Sequence, residues 1–228
     1  MRFFIENKKI DEAVREIRRK ISASKNGVVA DSMKQYGVIY KNNFGVDIPR
    51  LKEIASQYTS DHDLSQRLWA LRIRESMILA MWIQPVEKMT PTIANNWLDD
   101  IQQLELAEQA VMNLFSKLDF ATELAQEWIY STDKWHQTTG LLLISRIWNN
   151  ISNEQAEQII HQLIQLSDTE SVEIYASVAV TLCRLARRGR EVREEILRLI
   201  SPFEHSNSFG QKYIFVEVND ELSFSNFS

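Results

Sequence analysis

From Ile10 the apolar residues fall at Ile10, Ala13, Val14, Ile17 and Ile21, offsets that place one apolar stripe along a helix. Gly27 punctuates, and residues 28–40 read as a second helix with Met33, Tyr36 and Tyr40 on one side. Asn42-Asn43-Phe44-Gly45 is a turn signal. Pro49 suits the first turn of a helix reaching about Tyr58, because its missing N–H would have no partner there anyway. Asp61 and Asp63 open the next helix, with acid at its positive end, and it continues through Leu64, Leu68, Trp69 and Leu71. Thr90-Pro91 is a cap followed by a first-turn proline. Residues 104–118 read as one helix, with Leu104, Ala107, Val111, Leu114, Phe115 and Leu118 in phase. Ser152 and Gln155 have capping-box spacing ahead of Ile159, Ile160, Leu163 and Ile164. Residues 172–185 form another helix, Gly189 breaks the pattern, and 191–200 resume it. Only 212–218 (KYIFVEV) alternates like a strand. Residues 207–228, rich in Ser, Asn and Phe, are expected as a non-helical C-terminal tail, strand-like or disordered.

Helix pairs recur at about 35–40 residues, close to the HEAT repeat length. The pairs fall at 64–83, 90–118, 121–148 and 154–187. A helix pair cannot bury both its faces alone, so stacking of neighbours is expected to give a curved array with a concave face. The expected fold is all-α: a HEAT-like α-α superhelix over 1–206 as a single domain, with a compact helical bundle as the alternative. The composition agrees. With Gly 6 and Pro 4 in 228 residues the chain is poor in the tight turns that a β-sandwich or barrel needs. A single cysteine, Cys183, excludes a disulfide framework and a cysteine-based zinc site. The sequence has neither an apolar run of membrane-spanning length nor a signal-peptide pattern at its N-terminus, which makes a cytoplasmic protein the expectation.

The charge is unevenly placed. The formal net charge is -5, but residues 1–74 hold 15 Lys+Arg against 9 Asp+Glu. Residues 75–183 hold 4 against 15, and 184–228 hold 7 against 7. A basic end can meet phosphate, whereas an acidic centre repels a polyanion unless its carboxylates point away.

Two stretches go beyond generic helix. One is Asn43-Phe44-Gly45-Val46-Asp47-Ile48-Pro49-Arg50-Leu51-Lys52-Glu53-Ile54-Ala55; the other is LSQRLWALRIRESMILAMWI, from Leu64. Together they resemble the DNA alkylation repair family, the AlkD-like HEAT-repeat proteins, in which a Phe-Gly-Val turn leads into a proline-started helix and a Leu-Trp pair precedes a helix carrying Arg and Glu. The resemblance implies an alkylpurine DNA glycosylase that holds duplex DNA in a basic concave groove. It also implies an aspartate that stabilises the cationic sugar, aromatics that contact the lesion and an arginine that holds the backbone. Those residue types suit the chemistry, since a fixed carboxylate stabilises an oxocarbenium-like sugar and a cationic base is attracted to aromatic faces.

This chain departs from that pattern. The family's tryptophan and aspartate, four apart, fall on Leu104 and Glu108; the arginine three after a tryptophan falls on Thr138, counted from Trp135; a second tryptophan falls on Thr181, before Arg184. Only a carboxylate survives, one methylene longer. Misplacement by about 1 Å can cost about 100-fold in rate, so efficient glycosylase activity of the known kind is not expected. Glu108 is the remaining catalytic candidate, with Leu104, Trp135, Thr138 and Thr181 at the lesion-contact positions. The DNA-binding candidates are Lys41, Arg50, Lys52, Arg72, Arg74, Arg184, Arg187 and Arg188, with Arg190 and Arg193 beside them.

Of the single residues, Trp69 is expected in the core, and Glu75 is expected to bond backbone N–H groups of the preceding loop or Arg72. Cys183 is expected to pack rather than react. The histidines His62, His136, His161 and His205 lie at no metal-ligand spacing, and no nucleotide-binding glycine loop is present. Neither a metal nor a cofactor is expected. The ligand is double-stranded DNA or, for a non-catalytic scaffold, a protein partner; no membrane association is implied.

Overall fold

The computed structural model describes residues 6–224. Among them every regular element is helical, and the chain divides into two compact units, Met1–Leu118 and Asp119–Ser228. The first holds α1 (Lys8–Ala23), α2 (Gly27–Gln35), α3 (Ile48–Ala55), α4 (His62–Ala70), α5 (Arg74–Ile83), α6 (Pro91–Leu98) and α7 (Leu104–Asn113). The second holds α8 (Ala121–Ile129), α9 (Lys134–Ile147), α10 (Asn153–Leu166), α11 (Val172–Ala186), α12 (Arg190–Ile200) and α13 (Phe209–Phe224).

The helix starts are written into the sequence. Asn7, Asn26, Asp47, Asp61, Thr90, Asp133 and Ser152 each accept a backbone N–H of the first turn through the side chain. Such a cap stabilises a helix by about 1 kcal/mol. Ser152 and Gln155 complete the expected capping box.

In the first unit α5 is the hub. It packs on α3, α4 and α7, and all its residues but Trp82 are buried, as fits a helix that is apolar on every side. Trp69 lies in the core as expected, stacked on Trp97 with ring centroids 4.0 Å apart and planes 4° from parallel. In the second unit α9, α11 and α13 pack in succession as one layer. The other layer is formed by α8, which covers α9, together with α10 and α12, which pack on each other and on α11. Paired helices stacked in layers are the HEAT-like arrangement.

Three boundaries differ from expectation. The second helix ends at Gln35, not Tyr40: Gly37 takes φ 82, and the amides of Gly37 and Val38 return to the carbonyls of Lys34 and Met33. That closing motif satisfies carbonyls a helix end leaves open. The expected 104–118 helix breaks at Leu114 (φ -135, ψ -63) and continues as a single 3-10 turn, Phe115–Lys117. The expected non-helical tail is helix α13. Its run KYIFVEV also satisfies the helical period, since Ile214, Val218 and Leu222 stand four apart and form a buried stripe in a helix that packs on α11. A four-residue apolar run such as Tyr213–Val216 is ambiguous between the two periods. Tyr213 lies 4.8 Å and Phe209 5.6 Å from the Tyr175 ring. Residues 225–228 of the expected tail lie outside the described residues.

Candidate nucleic-acid interface

The Phe44 turn is held from beneath by charge. Glu75, fully buried, accepts the N–H of Phe44 (3.1 and 3.2 Å) and of Val46 (3.3 Å); backbone donors were expected, but on the loop before its own helix rather than on this turn. Arg74 donates from Nη1 to the Val46 carbonyl at 2.9 Å and to Glu75 at 3.1 Å. Its Nε and Nη2 grip both oxygens of Glu105, at 2.8 and 2.5 Å, a bidentate geometry that only a guanidinium provides. Tyr40 donates its hydroxyl to Glu105 at 2.9 Å. Burial, with the Glu105 charge beside it, pushes the Tyr40 phenol well above its ordinary range. Burial alone would lower the Arg74 pKa, but the hydrogen bonds and charge of Glu105, with Glu75, raise it. Arg74 is 4% exposed. It is therefore a structural ion, not the phosphate ligand the basic count suggested, because its donors are spent on two carboxylates and a carbonyl.

Above this turn lies a basic cleft. Arg15, Arg18, Arg19 and Ser22 stand at i, i+3, i+4 and i+7 on α1, one strip of a helix surface. With Ile21, Phe44 and Ile73 they line a cavity of about 410 Å³. No carboxylate contributes to the lining, and among the described residues none of the three arginines forms an ion pair. Of the acids within one turn along the helix, Glu16 is paired with Lys20 at 2.6 Å and Asp11 with Arg67, Glu12 is exposed and in no ion pair among the described residues, and Arg19 Nε donates to the Arg15 carbonyl at 3.5 Å.

The other expected positions in the first unit are scattered. Lys41 and Lys52 are exposed. Arg50 is bonded to Ser24 at 3.1 Å and to Glu53 at 2.5 Å. Arg72, at φ 52, pairs with Asp100, which also accepts the Trp69 indole N–H at 3.0 Å. Leu104 is 38% exposed, and Glu108 is exposed one turn further on. Partial burial, with the neighbouring Glu105 carboxylate, raises the Glu108 pKa.

In the second unit Trp135 is half-buried, with the Lys134 ammonium 4.5 Å from its ring centre. Thr138 and Thr181 have no exposed surface. The Thr181 hydroxyl lies 2.6 Å from the Ser177 carbonyl and 3.0 Å from that of Leu141 on α9, while the Thr138 hydroxyl is buried without a hydrogen-bond partner. Both threonines belong to the helix core, so neither reaches a ligand, contrary to expectation. Arg184 is exposed. Arg187 pairs with Glu221 at 2.9 Å, and Arg188 donates to the Trp148 carbonyl at 2.6 Å and to Asn153 at 2.7 Å.

The basic residues that share a cleft thus lie on the helix whose apolar stripe runs through Ile10, Ile17 and Ile21, and none of them was among the expected DNA-binding positions. Their signal was present in the spacing 15, 18, 19, 22 and in the excess of Lys and Arg in residues 8–20. Among the described residues no group of three or more His, Cys, Asp or Glu could hold a metal ion, and no helix is long and apolar enough to cross a membrane.

The profile of the family described as "DNA alkylation repair enzyme" matches residues 17–198. No protein with a curated description matches. Among solved structures, a protein described as one of "a new family of proteins related to the HEAT-like repeat DNA glycosylases with affinity for branched DNA structures" aligns over 90% of this chain and 94% of its own. That alignment has 16% identity and a TM-score of 0.73. A designed armadillo repeat protein in complex with a (KR)4 peptide aligns over 92% of both chains at 15% identity, with a TM-score of 0.43.

Proposed function

The chain belongs to the DNA alkylation repair enzyme family, and from that premise we propose that it binds DNA through its first unit, with the α1 arginines on the phosphodiester backbone, and does not excise alkylated bases by the family's known route. One observation carries this reading: three arginines on one strip of α1 share a cleft that no carboxylate lines. Guanidinium forks match phosphate oxygens in charge and shape, and since none of the three is in an ion pair among the described residues, no ion pair must break when a phosphate arrives. The affinity for branched DNA ascribed to the structurally similar family points to the same class of ligand.

The catalytic half of the proposal rests on the same positions as before. Burial of Thr138 and Thr181 leaves no arginine or tryptophan where the resemblance requires them. Glu108 is exposed and beside Glu105, and a carboxylate that no hydrogen bond holds is poorly preorganised to stabilise a sugar cation.

The test is duplex binding by fluorescence anisotropy across a salt series, on strands with and without one 7-methylguanine, with released base assayed in the same samples. Three phosphate contacts give a slope of log affinity on log salt of about -2.7. The expected result is that slope, with no preference for the lesion and no release. A flat salt response would remove the phosphate reading. Base release that Glu108→Gln abolishes would overturn the non-catalytic part and make Glu108 the catalytic carboxylate.

A further inference from the structure

The cleft beside α1 has chemistry that backbone tracking alone does not require. A surface that follows duplex phosphates needs positive charge and no aromatic ring. Here the three guanidinium groups share a cavity of about 410 Å³ with one aromatic ring and two isoleucines, Phe44, Ile21 and Ile73. The ring is mounted rigidly. The Phe44 N–H is held by the buried Glu75 carboxylate, and its carbonyl accepts the Asn26 N–H at 2.8 Å. Gly45 follows at φ 69, where an added Cβ would stand 2.1 Å from the Asn26 carbonyl oxygen. The backbone on both sides of the ring is therefore fixed before any ligand arrives, so little ordering has to accompany binding. Ser22 adds a hydroxyl that can donate or accept.

In a nucleic-acid ligand, an anion attached to a flat ring with apolar faces is supplied by a nucleotide. Its phosphate suits the guanidinium forks, and the π-face of any base stacks on a phenyl ring regardless of sequence. Inside a duplex both faces of each base are covered by neighbours, so only a nucleotide outside the stack can occupy such a cleft.

We propose that this cleft receives one unpaired nucleotide of a DNA strand, its phosphate on Arg15, Arg18 and Arg19 and its base against Phe44 and Ile73, which rests on the DNA-binding reading above. The site is sequence-tolerant, since it offers stacking and charge rather than an array of donors and acceptors aimed at one base edge. It selects DNA by local structure: a bulge, a flap or a branch point offers the ligand, and a perfect duplex does not.

The test uses the full chain and one short labelled duplex in three forms: fully paired, with one extrahelical thymidine, and with an abasic tetrahydrofuran residue in the thymidine's place. Anisotropy titrations at about 0.1 M salt are expected to show the extrahelical form bound about tenfold more tightly than the paired one. The abasic form should lose most of that gain. Phe44→Leu keeps an apolar side chain over the turn but removes the π-face, and is expected to abolish the gain. Phe44→Tyr is expected to retain it. Thermal unfolding checks that each variant is folded, and the wild-type comparison of thymidine with the abasic residue decides the matter even where a variant is not. Equal affinity for the paired and extrahelical forms overturns the pocket, as does a gain that survives removal of the base; both leave duplex binding intact. Failure to bind any of the three at low salt overturns both readings together.

Discussion

The first unit leaves three arginines of one helix strip out of ion pairs, whereas most arginines of the second hold an acid or a carbonyl. The first carries 17 basic and 15 acidic residues, net +2, and the second 9 against 16, net -7. In the second unit Arg190 pairs with Glu194 at 2.6 Å, Arg198 with Glu195 at 2.6 Å and Arg187 with Glu221 at 2.9 Å, while Arg188 serves a carbonyl. In the first unit Arg15, Arg18 and Arg19 hold no carboxylate among the described residues, and Arg19 reaches only the Arg15 carbonyl, at 3.5 Å. The polar cores differ in the same sense. The first unit buries Arg74 against Glu75 and Glu105, whereas the second buries hydroxyls such as Thr181 against carbonyls. The lesson is that the number of basic residues in a segment says little about phosphate binding. What matters is whether each has an acid within helical or cross-helix reach, because an exposed pair is already satisfied and contributes little beyond itself.

The largest expected effect breaks the charged core. Arg74→Leu leaves the buried Glu75 and the half-buried Glu105 without their counter-ion and frees the Val46 carbonyl, and is expected to destabilise the chain by about 3–5 kcal/mol. Urea unfolding monitored by circular dichroism measures it. The comparison variant, Thr181→Val, removes a hydroxyl hydrogen bond from the second unit's core and is expected to cost about 1 kcal/mol. Equal costs would mean that the ionic core of the first unit is no more critical than the hydroxyl core of the second.

Next in size is charge reversal at the surface. Arg15→Glu, Arg18→Glu and Arg19→Glu combined are expected to weaken duplex binding by about 100-fold or more at 0.1 M salt and to flatten the salt slope. Reversal of Arg190 and Arg198 together, in the second unit, is expected to change affinity by less than about twofold, since both already hold a carboxylate. If the two sets weaken binding alike, the contrast between paired and unpaired arginine carries no functional meaning.

Much of this was legible in the sequence. The helix starts at Thr90 and Ser152 were, because Thr and Ser at a cap act through their own side chains on the next turn. That Glu75 would bond loop amides was legible; that they are those of Phe44 and Val46, 31 and 29 residues earlier, is tertiary information. Arg74 was misread for a definite reason: its partner Glu105 is 31 residues away and comes into range only through the packing of α5 on α7. Thr138 and Thr181 were placed by alignment with a motif, and their burial follows from the contact between α9 and α11. The α1 cleft was half legible. Helical spacing shows three arginines on one strip and, at i±3 or i±4, only Asp11, Glu12 and Glu16 as possible partners. That Asp11 turns to Arg67, 56 residues on, is tertiary information.

The smallest prediction concerns two glutamates whose pH behaviour has opposite sign. Glu108, in the first unit, has its pKa raised above the ordinary 4.5 by partial burial and the Glu105 charge. Between 4.5 and the raised value the native chain keeps a proton that the unfolded chain has lost. Stability therefore falls as pH rises through that window, and Glu108→Gln should remove the loss. At Glu173, in the second unit, burial acts to raise the pKa but hydrogen bonds from Lys134 and Ser171 outweigh it, so the value is lowered. Here the ionised form is favoured in the native chain. Its contribution is complete above 4.5 and is lost as pH falls through the lowered value, so Glu173→Gln should remove a gain. Urea unfolding at about pH 3 and about pH 7 separates the two. Relative to the parent chain, Glu108→Gln is expected to be slightly more stable at the higher pH and Glu173→Gln slightly less, with both differences shrinking at the lower pH. A difference of the same sign for both variants at pH 7 would show that Glu105 does not impose its charge on Glu108, or that Lys134 does not hold Glu173. It would then remove the electrostatic contrast between the units at these positions.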